Sequence, residues 1–184
     1  NGRLGAMVFG DPSVEHLQLN EETIWAGSPN SNARELENGV LNKVRQLIFE
    51  GKYKQAEDMA TEKIMSKTNL GMPYQPMGDL FISFNGHNKY TDYYRDLDIS
   101  NATASVSYKV DGTTFRREVF TSFTDQAVII KLTADKKSSI SCNIFMTTPQ
   151  EKAEQLSENG ELILTAITPA HEKQSGKVQL ETRV

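Results

Sequence analysis

Two periodicities divide the chain. From Leu4 to Phe9, and again from about residue 80 onward, apolar residues recur at every second position or in short runs, the spacing of strands. Between them, over about 32–66, they recur every third or fourth position, the spacing of helices. Leu4-Gly5-Ala6-Met7-Val8-Phe9 is apolar on both faces, which predicts a buried rather than an edge strand, with the later half of the chain supplying partners on both sides. Gly10-Asp11-Pro12-Ser13 is a dense turn signal. Leu17 and Leu19 then alternate with His16, Gln18 and Asn20, a second strand. Trp25, the only tryptophan, follows, with Gly27, Ser28 and Pro29 behind it.

Leu36, Val40, Val44, Leu47 and Ile48 predict a helix that Ser31 or Asn32 can cap. Gly39 then falls inside it, at a cost of roughly 1 kcal/mol against Ala. Gly51 sits where a helix C-terminus favours a left-handed residue, and Tyr53, Ala56, Ala60 and Ile64 mark a second short helix. Together they form a small helical hairpin inserted into a β domain. Thr68 to Pro76 reads as a loop, and Gly78-Asp79 leads into Leu80–Phe84, closed by the hairpin-type pair Asn85-Gly86. Val106, Tyr108 and Val110 alternate next; after Asp111-Gly112, Phe115 to Thr121 returns with Arg116 and Glu118 on one face. Further apolar faces are Val128, Ile130 and Leu132; Ile140, Cys142, Ile144 and Met146; Leu162 to Ile167 after Asn159-Gly160; and Val178, Leu180, Thr182 and Val184. Short strands joined by polar turns predict a mainly β protein, an antiparallel sandwich carrying the helical insertion at about 32–66.

The 184 residues fit one domain, and the opening and closing strands at the two termini lead us to expect a domain cut from a longer chain. A net charge of −4 with scattered basic residues gives no nucleic-acid footprint, and no apolar run reaches the ~20 residues of a membrane span. Cys142, the lone cysteine, excludes an internal disulfide and reads as a buried structural thiol. Two acidic pairs are candidate acid/base couples for glycoside cleavage, Glu21-Glu22 and Asp96 with Asp98. The first pair points to opposite strand faces, and the second lies in a stretch, YRDLDIS, that reads as a solvated edge. His16, His87 and His171 have no metal-ligand spacing, so neither a metal nor a cofactor is indicated. Asn101-Ala102-Thr103 matches a glycosylation triplet. Trp25, Tyr74 and the Tyr90-Tyr93-Tyr94 cluster suit stacking on sugar rings if exposed; the favoured expectation is a core tryptophan with tyrosines packed on the sandwich.

Five ordered blocks resemble a known family, glycoside hydrolase family 95, the α-L-fucosidases with related α-L-galactosidases. Asn1 to Gly10 is similar to its GNGRLGAMVFG opening, and Leu19 to Pro29 to its LNEDTLWSGGP. Tyr74-Gln75-Pro76-Met77-Gly78-Asp79-Leu80 looks like YQPLGDL, and Tyr94-Arg95-Asp96-Leu97-Asp98 like YRRELDL. Ala104 to Phe120 with Asp125-Gln126 follows the family's A-x-V-x-Y-x-x-D-G-x-x-x-x-R-E-x-F…D-Q pattern. Asp96 and Ala26-Gly27-Ser28 are the departures, and beyond Lys136 only the strand rhythm matches.

The resemblance implies that residues 1–184 are the N-terminal β super-sandwich of an exo-acting, inverting fucosidase, bacterial and periplasmic or secreted. Its partner would be an (α/α)6 catalytic barrel of the same chain, downstream, which holds the general-acid Glu and the water-positioning groups and through which fucosylated glycans are met. The segment itself would then carry no catalytic residue and, alone, no activity. Asn20, Glu21, Trp25 and Tyr74 are the candidates for facing the barrel or touching sugar. The alternative is an independent carbohydrate-binding module that uses exposed aromatic residues.

Overall fold

The structure, a computed structural model, describes residues 1–66 and 71–184; Thr68, Asn69 and Leu70 of the expected 68–76 loop lie outside the described residues. In chain order the elements are β1 (Leu4–Val8), β2 (Val14–Glu21), α1 (Val40–Phe49), α2 (Tyr53–Lys63), β3 (Gly78–Ser83), β4 (Thr91–Asp98), β5 (Thr103–Val110) and β6 (Thr113–Ser122). They continue with β7 (Ala127–Ala134), β8 (Asn143–Thr147), β9 (Glu151–Glu158), β10 (Glu161–Ile167) and β11 (Gln179–Arg183). The strands form three antiparallel sheets, ordered β1-β2-β3-β8, β4-β5-β6-β7 and β11-β10-β9. The protein is mainly β and sandwich-like, as its alternation predicts.

One buried cluster joins the sheets. Leu17, Leu80 and Met146 come from the first, Val119 from the second and Leu164 from the third, with Ala6, Val8, Leu19, Val128 and Ile130 packed around them. The turns that set register are chemically direct. Asp111 and Gly112 both take positive φ, 47° and 73°, and Asn159 and Gly160 do the same at 53° and 84°, the backbone that suits a two-residue hairpin between right-twisted strands.

Several expectations are corrected. β1 pairs with β2 alone and is an edge strand. Its apolar faces have different fates: Ala6 and Val8 pack on the core, while Met7 stays exposed. Asn1 ties the edge to β6: its backbone nitrogen donates to Thr121 Oγ1 at 2.9 Å and its side-chain amide to Ser122 O at 2.7 Å. Asn85-Gly86 is a turn, with Gly86 at φ 83°, but it carries the chain from one sheet to another instead of closing a hairpin. Cys142 is half-buried and precedes β8, in which Met146 alone reaches the core while Ile144 remains exposed. β9, EKAEQLSE, is a strand with no apolar alternation, because it is an outer strand exposed along its whole length.

The helical insertion is shorter than expected. Gly39, at φ 85°, is the residue before the helix and not inside it, so α1 starts at Val40, and Leu36, Ser31 and Asn32 lie outside it. At the other end Gly51 is left-handed (φ 74°), and the Gly51 and Lys52 N–H groups donate to Ile48 O and Leu47 O at 3.0 and 2.9 Å, closing the helix as its sequence predicts.

Candidate functional site

The inward face of β2 reads Glu15, Leu17, Leu19, Glu21: two leucines in the core, flanked by two buried carboxylates. Buried charge needs a partner, and each glutamate has an arginine. At one end Glu15 is fully buried and receives Arg117 Nη1 at 2.8 Å, with the arginine 2% exposed. Arg117 also donates to Asp11 O, Pro12 O and Tyr108 Oη, and its guanidinium lies 4.5 Å from the Phe84 ring centre. The other Glu15 oxygen accepts the Gly10 N–H at 2.7 Å. His87 Nδ1 meets Tyr108 Oη at 2.8 Å; burial, then the neighbouring Arg117 charge, lowers the His87 pKa. Three of these bonds hold the turn, through Gly10 N–H, Asp11 O and Pro12 O, so the network fixes where β1 and β2 join.

At the other end Glu21 receives Arg3 Nε at 2.8 Å and the Thr23 N–H and hydroxyl at 2.8 and 2.6 Å. Burial pushes its carboxyl up, but these bonds and the Arg3 charge outweigh that and hold it below the usual carboxylate range. Tyr74 reaches back and donates its hydroxyl to the Glu21 carbonyl at 2.8 Å. Trp25 bridges to Tyr74 through the backbone, the rings meet edge-to-face at 5.3 Å and 70°, and the indole Nε1 donates to Glu22 O at 2.9 Å. The two polar tips are therefore satisfied while much of the ring surface is left open: Trp25 is 45% exposed and Tyr74 41%. The expected core tryptophan is thus not in the core.

The aromatic pair stands on a fixed base. Ala26 N–H donates to Pro73 O at 3.0 Å, Gln75 N–H to Ile24 O at 2.9 Å, and Gly27 N–H to Pro169 O at 2.8 Å. Ile24, Ala166 and Leu180 form a buried cluster under the loop. Gly27 has φ 75°, and a Cβ there would come within 2.8 Å of Met72 Sδ. Asn20, half-buried at the end of β2, lines a cleft of ≈ 300 Å³ together with Leu4, Glu21, Leu80, Val128 and Arg183. Asn20, Glu21, Trp25 and Tyr74 are thus brought to one end of the first sheet, Tyr74 from 49 residues beyond Trp25.

The other candidates do not converge. Glu22 is exposed while Glu21 is buried, so that pair diverges as its strand geometry predicts. Asp96 bonds Ser105 Oγ at 2.5 Å, and Asp98 accepts from Ser100 and Asn101, whose hydrogen bonds lower its pKa, on the outer strand β4. His16 is stacked between Phe9 and Phe81 and bonded to Asp79 Oδ1, His87 belongs to the buried network, and His171 bridges Gln174. No group of three or more metal-ligating side chains gathers among the described residues. Tyr93 donates to Gly10 O at 3.0 Å and packs near Tyr90, while Tyr94 is exposed. No helix among the described residues is long and apolar enough to cross a membrane.

Comparison with known proteins gives these features a context. The chain is 40% identical over 147 residues to "Alpha-L-fucosidase 2" of Arabidopsis thaliana, covering 78% of this chain and 17% of that protein. It is 29% identical over 141 residues to "Probable alpha-fucosidase A" of Aspergillus oryzae, covering 72% of this chain and 18% of that protein. The chain therefore spans less than a fifth of the length of these relatives. They are eukaryotic and lend no support to a bacterial source. The family model described as "Glycosyl hydrolase family 65, N-terminal domain" matches residues 1–184. The sandwich-like chain belongs to that family of N-terminal domains of glycosyl hydrolases.

Proposed function

We propose that this chain is the non-catalytic N-terminal domain of an exo-acting, inverting α-L-fucosidase of the family 95 type. In this reading it braces a downstream (α/α)6 barrel and walls one side of that barrel's substrate cleft. The observation that carries it is the Trp25–Tyr74 pair: both polar tips are bonded inward, the base is stitched to three segments, and the rings remain open. A surface so ordered and so apolar suits a permanent partner, since little further ordering is needed on contact. Asn20 and Glu21 end the strand beside it and point to opposite faces, Asn20 half-buried and Glu21 buried.

The acidic residues support the non-catalytic part of the reading. General acid/base cleavage of a glycoside needs two carboxyl groups about 5–10 Å apart and free to exchange protons. Glu21 is held by Arg3 and Thr23, and Asp98 closes its own turn. The fucosidase assignment rests on the names of the relatives and on the five family-95-like blocks. It is tested by L-fucose release from a fucosylated oligosaccharide, comparing the 184-residue chain with the full-length gene product. Release by the long form alone is expected; release by the short one would move the chemistry onto Asp96, Asp98 or the Glu21-Glu22 pair.

The same ring exposure favours a second reading, an independent carbohydrate-binding module, because a half-open indole beside a tyrosine suits stacking on a sugar. Trp25 is the only tryptophan in the chain, so its fluorescence reports that binding directly. A saturable change with free fucose or a fucosylated glycan supports the module; a flat response supports the bracing role.

A further inference from the structure

The helical hairpin presents apolar surface that the sheets do not use. Its interior is Val44, Leu47 and Ala56 with Met59, Ala60 and Ile64 around them, and no strand residue belongs to that cluster. The cluster holds α1 to α2 and leaves the tip open. Phe49, the last residue of α1, is 88% exposed and Tyr53, the first of α2, 69%. Leu41 and Ile48, seven residues apart on one side of α1, are exposed too. Aromatic residues on an ordered scaffold are the usual anchors of interfaces. Gly51 and its hydrogen bonds fix the turn between them, so the tip is preorganised.

The charges narrow the occupant. Lys52 pairs with Glu50 at 2.8 Å and Lys54 with Asp58 at 2.9 Å, so the tip neutralises itself and offers no basic field for anionic lipid or nucleic acid. The insertion leaves the sandwich at Ala26 and returns at Pro73, whose backbones are bonded, so its base is the Trp25–Tyr74 face itself. The relatives are more than five times longer than the part of them this chain matches, which leaves a large partner within one polypeptide.

We propose that Phe49 and Tyr53 dock on the catalytic domain of the same full-length polypeptide, as a second contact beside the Trp25–Tyr74 face. This rests on the reading of the chain as the N-terminal domain of a larger glycoside hydrolase. The test is photo-crosslinking in the full-length protein, with p-benzoylphenylalanine in place of Phe49 and, in a separate variant, of Trp25. Position 49 is so exposed that the replacement leaves the hairpin's interior intact.

The expected product at position 49 is a crosslink within one polypeptide to a peptide C-terminal to residue 184, with the protein still a monomer on a denaturing gel. A crosslinked dimer would mean that a second copy covers the tip and would overturn the proposal. No adduct at 49 while 25 reacts downstream would overturn it and leave the reading of the Trp25 face standing. No adduct at either position would take down both.

Discussion

The two ends of β2 are built from the same parts and do different things. Each has a buried glutamate on the inward face, an arginine and a tyrosine. At the Glu15 end the arginine side chain is 2% exposed and the rings of Phe84, His87 and Tyr108 around it are buried, whereas at the Glu21 end the arginine is 55% exposed and the aromatic pair faces out. Burial is what separates them. A charge pair removed from water cannot lose one partner without leaving the other uncompensated, while at the other end Arg3 is open to solvent and Thr23 still holds the Glu21 carboxylate when the arginine is lost. Charge in the sequence is therefore a poor pointer to chemistry here; on the proposed reading the open, hydrogen-bonded aromatic surface is the better one.

Substitution of the two arginines gives the largest contrast. Arg117→Leu leaves Glu15 buried without its cation and should cost about 3–5 kcal/mol in urea unfolding, whereas Arg3→Leu should cost no more than about 1 kcal/mol. Equal losses would break the comparison. Gly27→Ala should come next, at about 1–3 kcal/mol, because the new Cβ combines a left-handed backbone with the Met72 sulfur in its way.

Acid should separate the ends in stages. His87 has a pKa lowered from 6.5 by burial, then by Arg117. The unfolded chain therefore binds a proton that the folded chain resists, and this stability is full above about 6.5 and declines as pH falls below it. Glu21 is held below 4.5 because its bonds to Thr23 and Arg3 outweigh its burial. Its contribution is present above about 4.5 and lost as pH falls through its folded value. Melting curves from pH 7 to 3 should show both limbs, and His87→Phe should remove the upper one alone.

The aromatic pair should affect folding about as little as Arg3 does. Tyr74→Phe loses one hydrogen bond, about 1 kcal/mol, and Trp25→Ala one edge-to-face contact, about 0.5–1.5 kcal/mol, together with the solvent-exposed indole bond to Glu22 O. In the full-length protein Trp25→Ala should nonetheless reduce fucose release far more than so small a loss of stability explains. Unchanged turnover would confine the pair to the fold of this domain.

Much of the fold was legible in the sequence. Alternation at Val106, Tyr108 and Val110, the Asp111-Gly112 and Asn159-Gly160 turns and the stop at Gly51 each have one local physical cause, and each is where the pattern places it. What failed depends on neighbours. β1 is apolar on both faces although one face is open, β9 has no apolar face to announce it, and Gly39 lies in phase with a helix it precedes. Of the candidate site, the four residues were individually visible, but the contact of Trp25 with Tyr74 closes across the helical insertion, and no spacing rule connects them. Glu15 and Arg117 do not stand out in the sequence because charged residues read as surface. Their one signal is phase: Glu15 shares the inward parity of Leu17 and Leu19.

Hydroxyl-radical footprinting of the full-length protein against the 184-residue chain tests the central claim most directly, with oxidation of Trp25 and Tyr74 as the readout. The account predicts that both react readily in the short chain and are protected in the long one, while exposed Tyr94 on the outer strand reacts alike in each. Equal oxidation of Trp25 in the two would contradict it, because the face would then be as open in the whole protein as in the domain.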